Sequence, residues 1–226
     1  MNELLFFISL IIVFSFLLLS YYKFGKTGLF AYIAFATVFA NIIVIKCVDL
    51  FTLSITLGNV LFGGVSLATD MLNENHGENE ARKSVNISFY ILILFTILSQ
   101  IVLMFIPNSS DIAQNALYQV FSLSPRICIA SIIAYFISTN LNIYCFDKIK
   151  SILPQDKFLW VRNNVSTIVS QFIDCAIFTT CAFAYIFPFK TLISIIFTTW
   201  IIKILVALLD TPFIYLSKKI TKKLTK

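Results

Sequence analysis

Apolar segments long enough to cross a membrane recur along almost the whole chain, and they limit the fold more than any other feature. About 20 consecutive apolar residues cross the hydrocarbon core of a bilayer as a helix. The chain is 59% hydrophobic and only 12% charged, whereas soluble domains carry about 25% charged residues. The sequence therefore predicts an all-α, polytopic transmembrane bundle that forms one domain over residues 1–226. About seven hydrophobic spans are expected, at 4–22, 29–48, 52–71, 85–106, 115–146, 159–186 and 190–216.

Lysine and arginine are distributed unevenly between the loops that join these segments. Of the 17 Lys and Arg, 13 lie in alternate loops or in the C-terminal tail, and only Lys46 and Lys190 lie in the loops between them. Because positively charged loops stay in the cytoplasm, seven spans predict an N-terminus outside the cell (inner) membrane and a cytoplasmic C-terminus. The net charge of +6 is thus typical of a membrane protein in contact with lipids, not of a nucleic-acid partner. If residues 46–58 form a re-entrant turn, six spans remain.

The most polar membrane segment reads "WVRNNVSTIVSQFIDC", residues 160–175. At about 100° per residue, Asn163, Gln171 and Asp174 fall on one face of a helix, and the Val, Ile and Phe residues fall on the other. In a bilayer, such a face bonds to polar groups of other helices or lines a cavity. Seven hydrogen-bonding side chains on this face, Asn164 among them, favour a solute pathway over contacts between helices alone.

A second polar group lies at the cytoplasmic end of the third segment. Asp70 and Glu74 are four residues apart, so they share one face of a helix. Carboxylates at a helix end are often simply solvated, and a structural and a functional interpretation both stay open here. Asn41 lies in the second segment, where an amide also needs a polar partner.

Three charged residues lie within the fifth and seventh segments. Lys203 and Asp210 are seven residues apart, which places them two turns apart on one helix face. A charge at the centre of a bilayer costs about 2.5–3.5 kcal/mol on insertion scales, so we expect each one to be paired. Two arrangements are open: Lys203 with Asp210, or Lys203 with Asp174 and Asp210 with Arg126.

Sequence patterns of enzymes and metal sites are absent. The chain contains no G-x-S-x-G, H-E-x-x-H or phosphate-binding glycine loop. Its five cysteines are scattered without a C-x-x-C pair, and it has one histidine. We therefore expect no enzyme activity, no catalytic residue, no metal site and no cofactor.

Several of these elements together resemble the queuosine precursor transporter family, also called the vitamin uptake transporter family. They are "TDMLNENHG" with "AR" (69–82), "AN" (40–41), the polar segment at 160–175 and "K…DTP…Y" (203–215). The patterns T-D-x-x-x-E-x-x-G and R-N-x-x-S-T…S-Q-x-x-D are the most specific parts of the resemblance. Two positions depart from the family, because Cys175 replaces a small hydroxylic residue and His76 replaces an aromatic one.

The resemblance implies import of a purine-like base: queuine, 7-cyano-7-deazaguanine or 7-aminomethyl-7-deazaguanine, salvaged to make queuosine in tRNA. Alternating access is expected, and proton coupling and a homodimer are left open. A carboxylate and nearby amides suit the hydrogen-bonding edge of such a base. The expected substrate-binding residues are Asp174, Gln171, Asn163, Asn164, Asp70, Glu74 and Asn41. The expected gating or ion-pair residues are Arg162, Arg126, Lys203 and Asp210.

One alternative is a substrate-binding membrane subunit of an ATP-driven vitamin importer. Such subunits commonly have six spans and a small-x-x-x-small docking surface on the first helix. The first segment here has only three serines as small residues, at spacings of six and five. This pattern argues against docking. A membrane scaffold without transport activity is a further alternative, which the polar segment at 160–175 disfavours.

Overall fold

Seven long helices form the bundle in the computed structural model, which describes residues 1–44, 46–51, 53–122, 125–185 and 188–224. The short elements are an antiparallel hairpin of β1 (Cys47–Leu50) and β2 (Leu53–Thr56), the helix α5 (Gln114–Phe121) and a 3₁₀ turn (Asp156–Phe158). The long helices are α1 (Asn2–Phe24), α2 (Lys26–Ile43), α3 (Gly58–His76), α4 (Glu78–Met104), α6 (Pro125–Ile152), α7 (Leu159–Phe183) and α8 (Phe189–Leu224).

Six of the described helices are long and apolar enough to span a membrane, and α3 is the exception among the long ones. α3 can be less apolar than the other long helices because it packs against five of the other helices, α1, α2, α4, α6 and α8. Of its 19 residues, 14 are buried, including Asn59, Asp70 and Asn73. A helix enclosed by other helices meets protein instead of lipid and can carry polar residues. The predicted helical membrane bundle is confirmed, and the chain is a multi-pass membrane protein.

Contacts between loops and helix ends show that the lysine-rich loops gather at one end of the bundle, here called the inner end. There the Tyr21 hydroxyl lies 3.0 Å from His76 Nε2 and 2.7 Å from the Thr221 hydroxyl. Lys26 at the start of α2 also pairs with Glu80 at the start of α4, at 3.3 Å. These contacts join α1, α2, α3, α4 and α8, in agreement with the alternation of charge along the sequence.

The lysine-poor loops gather at the opposite end, here called the outer end. Asn2 Nδ2 in α1 donates a hydrogen bond to the Asp49 carbonyl in the hairpin, at 3.3 Å. Arg126 at the start of α6 donates to the carbonyls of Cys181 and Ala184 at the end of α7, at 2.8 and 2.7 Å. The last carbonyls of a helix lack partners within the helix, so this guanidinium closes the end of α7. Arg126 thus bonds to the end of α7 at the outer end and does not pair with Asp210.

The structure corrects the predicted limits of two segments. Within residues 46–58, where the sequence allows a short loop or a re-entrant turn, β1 and β2 form a hairpin, and the third long helix begins at Gly58 instead of residue 52. The predicted span 115–146 consists of α5 followed by α6, which begins at Pro125. Proline favours the first turn of a helix because its missing N–H is not needed there. Within α8 the helix continues through Pro212.

Glycine allows a close approach where α1 turns into α2. Gly25 has φ 57°, a conformation that favours glycine. A Cβ atom on Gly28 would lie 2.5 Å from the Ser20 carbonyl oxygen and 2.9 Å from its carbon, both backbone atoms of α1. The first two helices can therefore pack this closely only with glycine at position 28.

We expect Gly28→Ala to destabilise the protein by about 1–3 kcal/mol, because α1 and α2 must move apart to admit the methyl group. The melting temperature of the purified protein in detergent measures this effect. Thr27→Ala is the control, since Thr27 is exposed on the same turn. Equal melting temperatures for both variants and the unmodified chain would contradict the close packing described here.

Candidate functional site

A cavity of about 270 Å³ lies in the outer half of the bundle, between α3, α6, α7 and α8. Val44 and Thr56 border it at the outer end, and Lys203 and Asp174 lie on its walls. Its volume is close to the lower end of the range for small-molecule sites, about 300–1,000 Å³. Aromatic rings supply much of the wall, from Phe62, Tyr135, Phe178 and Phe183. Such a cavity suits a small, flat, largely apolar solute with a few polar atoms.

An ion pair between Lys203 on α8 and Asp174 on α7 is the main polar feature of this cavity. Lys203 Nζ bonds to Asp174 Oδ2, and the Ser138 hydroxyl on α6 donates to Asp174 Oδ1 at 3.0 Å. The ammonium also lies 5.8 Å from the centre of the Phe62 ring, within cation–π range. The side chains are 10% and 20% exposed, so both remain reachable from the cavity. The structure thus pairs Lys203 with Asp174 across two helices and not with Asp210 along its own helix.

Two smaller cavities, of about 20 and 10 Å³, adjoin the first one on its inner side. Gln171 lines both of them, between Asp174 and the inner end. The Gln171 Oε1, Asn59 Nδ2 and Ser66 Oγ atoms around these cavities are buried and have no hydrogen-bond partner. A buried polar atom without a partner costs about 1–3 kcal/mol. These three atoms are therefore available to a bound solute or to water.

A layer of buried carboxylates and amides, called the polar layer below, lies between these cavities and the inner end. It consists of Asp70, Asp210, Asn142 and Asn163. Asp70 on α3 accepts hydrogen bonds from Asn142 on α6, at 2.6 Å, and from the Thr167 hydroxyl on α7, at 3.4 Å. Asp210 on α8 accepts one from Asn163 on α7, at 2.6 Å. Both carboxylates are 0% exposed. On the inner side of the cavity, these bonds link the four helices that surround it.

Glu74 closes the inner end by pairing with three cations. Its carboxylate lies 2.8 Å from Arg162, 2.6 Å from Lys218 and 3.4 Å from Lys150, on α7, α8 and α6 respectively. Arg162 is 0% exposed and also donates to the carbonyls of residues 153 and 154. Glu74, Arg162, Lys218 and Lys150 are called the inner charge cluster below. It joins four helices at the inner end.

The structure separates the seven predicted binding residues into groups. Asp174 and Gln171 line the cavities, whereas Asn164 donates to the Thr211 hydroxyl of α8, at 2.9 Å, and to a carbonyl of its own helix. Asn41 donates to the Thr37 carbonyl of its own helix, at 2.9 Å. The remaining three lie in the polar layer or in the inner charge cluster: Asn163, Asp70 and Glu74.

Most residues that line the cavity were not predicted as site residues from the sequence, among them Asn59, Phe62 and Tyr135. Asn59 had a detectable signal, because the polar residues at 59, 66, 70 and 73 lie seven, four and three positions apart and share one face of α3. Phe62 and Tyr135 lie in apolar runs that resemble any lipid-facing segment. The Tyr135 hydroxyl is nevertheless fixed by Ser88, at 2.7 Å, and by Thr37, at 3.3 Å.

A metal site is not found in the part of the chain that the structure describes, where no three His, Cys, Asp or Glu side chains group suitably. The chemistry of the cavity is therefore that of one ion pair, neutral amides and hydroxyls, and aromatic rings. Groups of this kind can hold a solute by hydrogen bonds and stacking.

Comparison with known proteins places the chain in a family. The sequence model of a family described as "Putative vitamin uptake transporter" matches residues 56–217, which is well over half of the chain. The chain belongs to the vitamin uptake transporter family. A curated relative from Bacillus subtilis (strain 168), named "Probable queuosine precursor transporter", is 46% identical over 209 residues, or 92% of this chain and 91% of the relative. No solved structure matches the chain.

Membership in the vitamin uptake transporter family confirms the resemblance seen in the sequence. The matched residues 56–217 include all of α3, α6 and α7. They also include Lys203 and Asp210 on α8. The ion pair, the polar layer and most of the wall of the cavity thus belong to the part that the family model describes.

Removing one member of the Lys203–Asp174 pair should destabilise the protein more than removing both. Lys203→Met leaves a partly buried carboxylate without its cation, at a cost of about 1–3 kcal/mol. Adding Asp174→Asn should restore most of this loss, because no charge is then left unpaired. Melting temperatures in detergent of the two single variants and the double variant measure the coupling. Lys190→Met, at an exposed position, is the control. Additive losses in the double variant would show that the pair does not form.

Proposed function

We propose that the chain imports a queuosine precursor for salvage into tRNA and that it works as one transporter domain by alternating access. The candidates are queuine, 7-cyano-7-deazaguanine and 7-aminomethyl-7-deazaguanine. The observation that carries this proposal is the cavity with one ion pair, within a chain that is 46% identical to a relative named as a probable queuosine precursor transporter. The partners of the protein are thus a purine-like base and the membrane lipids.

The ion pair in the cavity matches the edge of a guanine-like base. Such an edge carries N–H donors beside a carbonyl oxygen. Asp174 accepts the N–H groups of the base, and Lys203 donates to its carbonyl oxygen. Gln171 and Asn59 offer the unpartnered atoms Oε1 and Nδ2 to the remaining polar atoms of the solute. The flat ring system packs against Phe62.

The difference between the two ends supports an outward-facing state with a closed inner end. The cavity reaches the outer-end residues Val44 and Thr56, whereas the inner charge cluster joins α3, α6, α7 and α8. For release, these helices must separate at the inner end and the ion pairs of Glu74 must break. In many transporters the substrate site lies near the midplane and gates open alternately on either side of it.

Asp174→Asn should lower import at least about tenfold, because a lost charge-assisted hydrogen bond to a base costs about 1.5–3 kcal/mol. Gln171→Ala should lower it about two- to tenfold, because a neutral hydrogen bond contributes about 0.5–1.5 kcal/mol. Cells that cannot make queuosine are supplied with each precursor separately, and queuosine in their tRNA is measured. Asp111→Asn, in an exposed outer loop, is the control. Import at the unmodified rate by both variants, expressed normally, would rule out this site. Uptake by the purified protein alone in liposomes distinguishes the proposal from a subunit that needs an ATPase.

Glu74→Gln should weaken the closure of the inner end, because Arg162 then loses its carboxylate while it stays buried. We expect a cysteine placed at Thr167 to react with a thiol reagent from the inner side several times faster in this variant. Glu78→Gln, which removes a half-buried pair with Arg82 on the same side, is the matched control. Unchanged labelling in Glu74→Gln would show that the inner charge cluster is not the closing contact.

A further inference from the structure

Asp210 is a fully buried carboxyl group without a cation. Its Oδ1 atom accepts a hydrogen bond from Asn163 at 2.6 Å, and its Oδ2 atom has no hydrogen-bond partner. The side chain is 0% exposed. Among the residues that the structure describes, no Lys, Arg or His forms an ion pair with Asp210. Asp70 is a second buried carboxyl group without an ion pair, but both of its oxygen atoms accept hydrogen bonds, so the partnerless Oδ2 atom of Asp210 needs a separate explanation.

The ionisable groups nearest to Asp210 do not neutralise it. Asp70 on α3 accepts a hydrogen bond from Thr167, which lines the same small cavity as Asp210, so two charged carboxyl groups at this level would repel each other. Lys203 lies two turns away on α8 and is held by Asp174. The cation that lines the same small cavity is therefore already committed to another carboxylate.

Among the described residues, the remaining helices packed on α8 bring no free cation to the level of Asp210 either. On α7, Arg162 precedes the hydrogen-bonding residue Asn163, but its guanidinium is bound to Glu74 at 2.8 Å. On α1, the side chain that contacts α8 nearby is apolar: the Phe14 ring lies 5.1 Å from the Phe213 ring. Asp210 thus faces a neutral amide, a like charge and apolar surface.

These surroundings favour a proton on Asp210. Burying an ionised carboxylate without a cation costs several kcal/mol, and a second carboxylate nearby adds to this cost. The neutral acid avoids most of it. The neutral acid is therefore the favoured form of Asp210 while the inner end is closed.

Access to Asp210 runs from the solute cavity. The adjoining cavity of about 10 Å³ is lined by Asp210, Gln171 and Lys203, and it shares Asn59, Phe62 and Lys203 with the main cavity. This volume is about that of one water molecule. A proton from the outer side thus reaches the carboxyl group through a single water-sized space beside the solute.

We propose that Asp210 binds the proton that drives import, a proposal that rests on the import function above. The Oδ2 atom takes a proton from outer-side water and forms an O–H bond while the inner end is closed. When the inner charge cluster opens, water reaches Asp210 from the inner side and stabilises the carboxylate. The same proton then passes to that water. One proton enters with each solute molecule.

Purified protein in liposomes tests this proposal with radiolabelled queuine, or with whichever of the two other precursors the unmodified protein exchanges. Exchange without a gradient measures solute binding and alternation, and accumulation under an inside-alkaline pH gradient measures coupling. We expect the unmodified protein to show both. Asp210→Asn should keep exchange within about twofold and lose gradient-driven accumulation at least tenfold. Asp210→Ser gives a second neutral variant in case Asp210→Asn does not fold, and Asp111→Asn is the control.

The proton site would be overturned if accumulation by the unmodified protein did not depend on the pH gradient. It would also be overturned if gradient-driven accumulation persisted in the folded Asp210→Asn and Asp210→Ser variants. Neither result would contradict the import function. Absence of exchange with all three precursors would instead overturn the import function. In that case the infrared band of a protonated carboxyl group decides the protonation of Asp210 without any solute. Its loss in Asp210→Asn supports a proton on this residue, and an unchanged band overturns it.

Discussion

The hydrocarbon core of a bilayer offers no hydrogen-bonding partner, and this constraint determines how the polar residues of the bundle are placed. The most polar of the long helices, α3, is enclosed by five others. Asp70 on this helix reaches Asn142 and Thr167, and Glu74 reaches three cations. The packing of α3 against α6 and α8, and its side-chain contacts with α7, thus follow from where these side chains can find partners.

The polar groups are used differently along the bundle axis. At the inner end, each charge of the inner charge cluster is committed to a partner, which holds four helices together. Around the outer cavity, buried atoms of Gln171, Asn59 and Ser66 lack partners. A cavity with polar atoms free to bond, beside an end held by ion pairs, is the arrangement expected of a transporter that is ready to receive its solute. The Lys203–Asp174 pair lies at the boundary between these two regions and is accessible from the cavity.

The sequence alone predicted the class of fold and the polar face of α7, because both follow from hydropathy and helical period. It did not predict which residues of that face line a cavity. Asn163 and Asp174 fall on the same face, yet one meets Asp210 on α8 and the other opens to the cavity. That difference depends on which helix lies opposite at each level, and helical phase does not contain this information. The choice between Asp174 and Asp210 as partner of Lys203 required the distance between α7 and α8.

The limits of elements were harder to predict than their number. The β-hairpin was not predicted from the apolar runs at 29–48 and 52–71. The β-branched residues Val48, Ile55 and Thr56 suit strands as well as membrane segments. The aromatic wall residues Phe62 and Tyr135 gave no signal for a related reason, since an aromatic ring facing a cavity and one facing lipid look alike in a sequence. The signals available were polar ones, such as Asn59 in register with Ser66.

A structure of the protein with queuine bound tests the central claim most directly. The account predicts one base in the cavity, with its N–H edge on Asp174, its carbonyl oxygen toward Lys203 and its ring beside Phe62, while Glu74 stays paired with Arg162. A base bound at Asn163 and Asn164, or held only by Glu74 at the inner end, would contradict it.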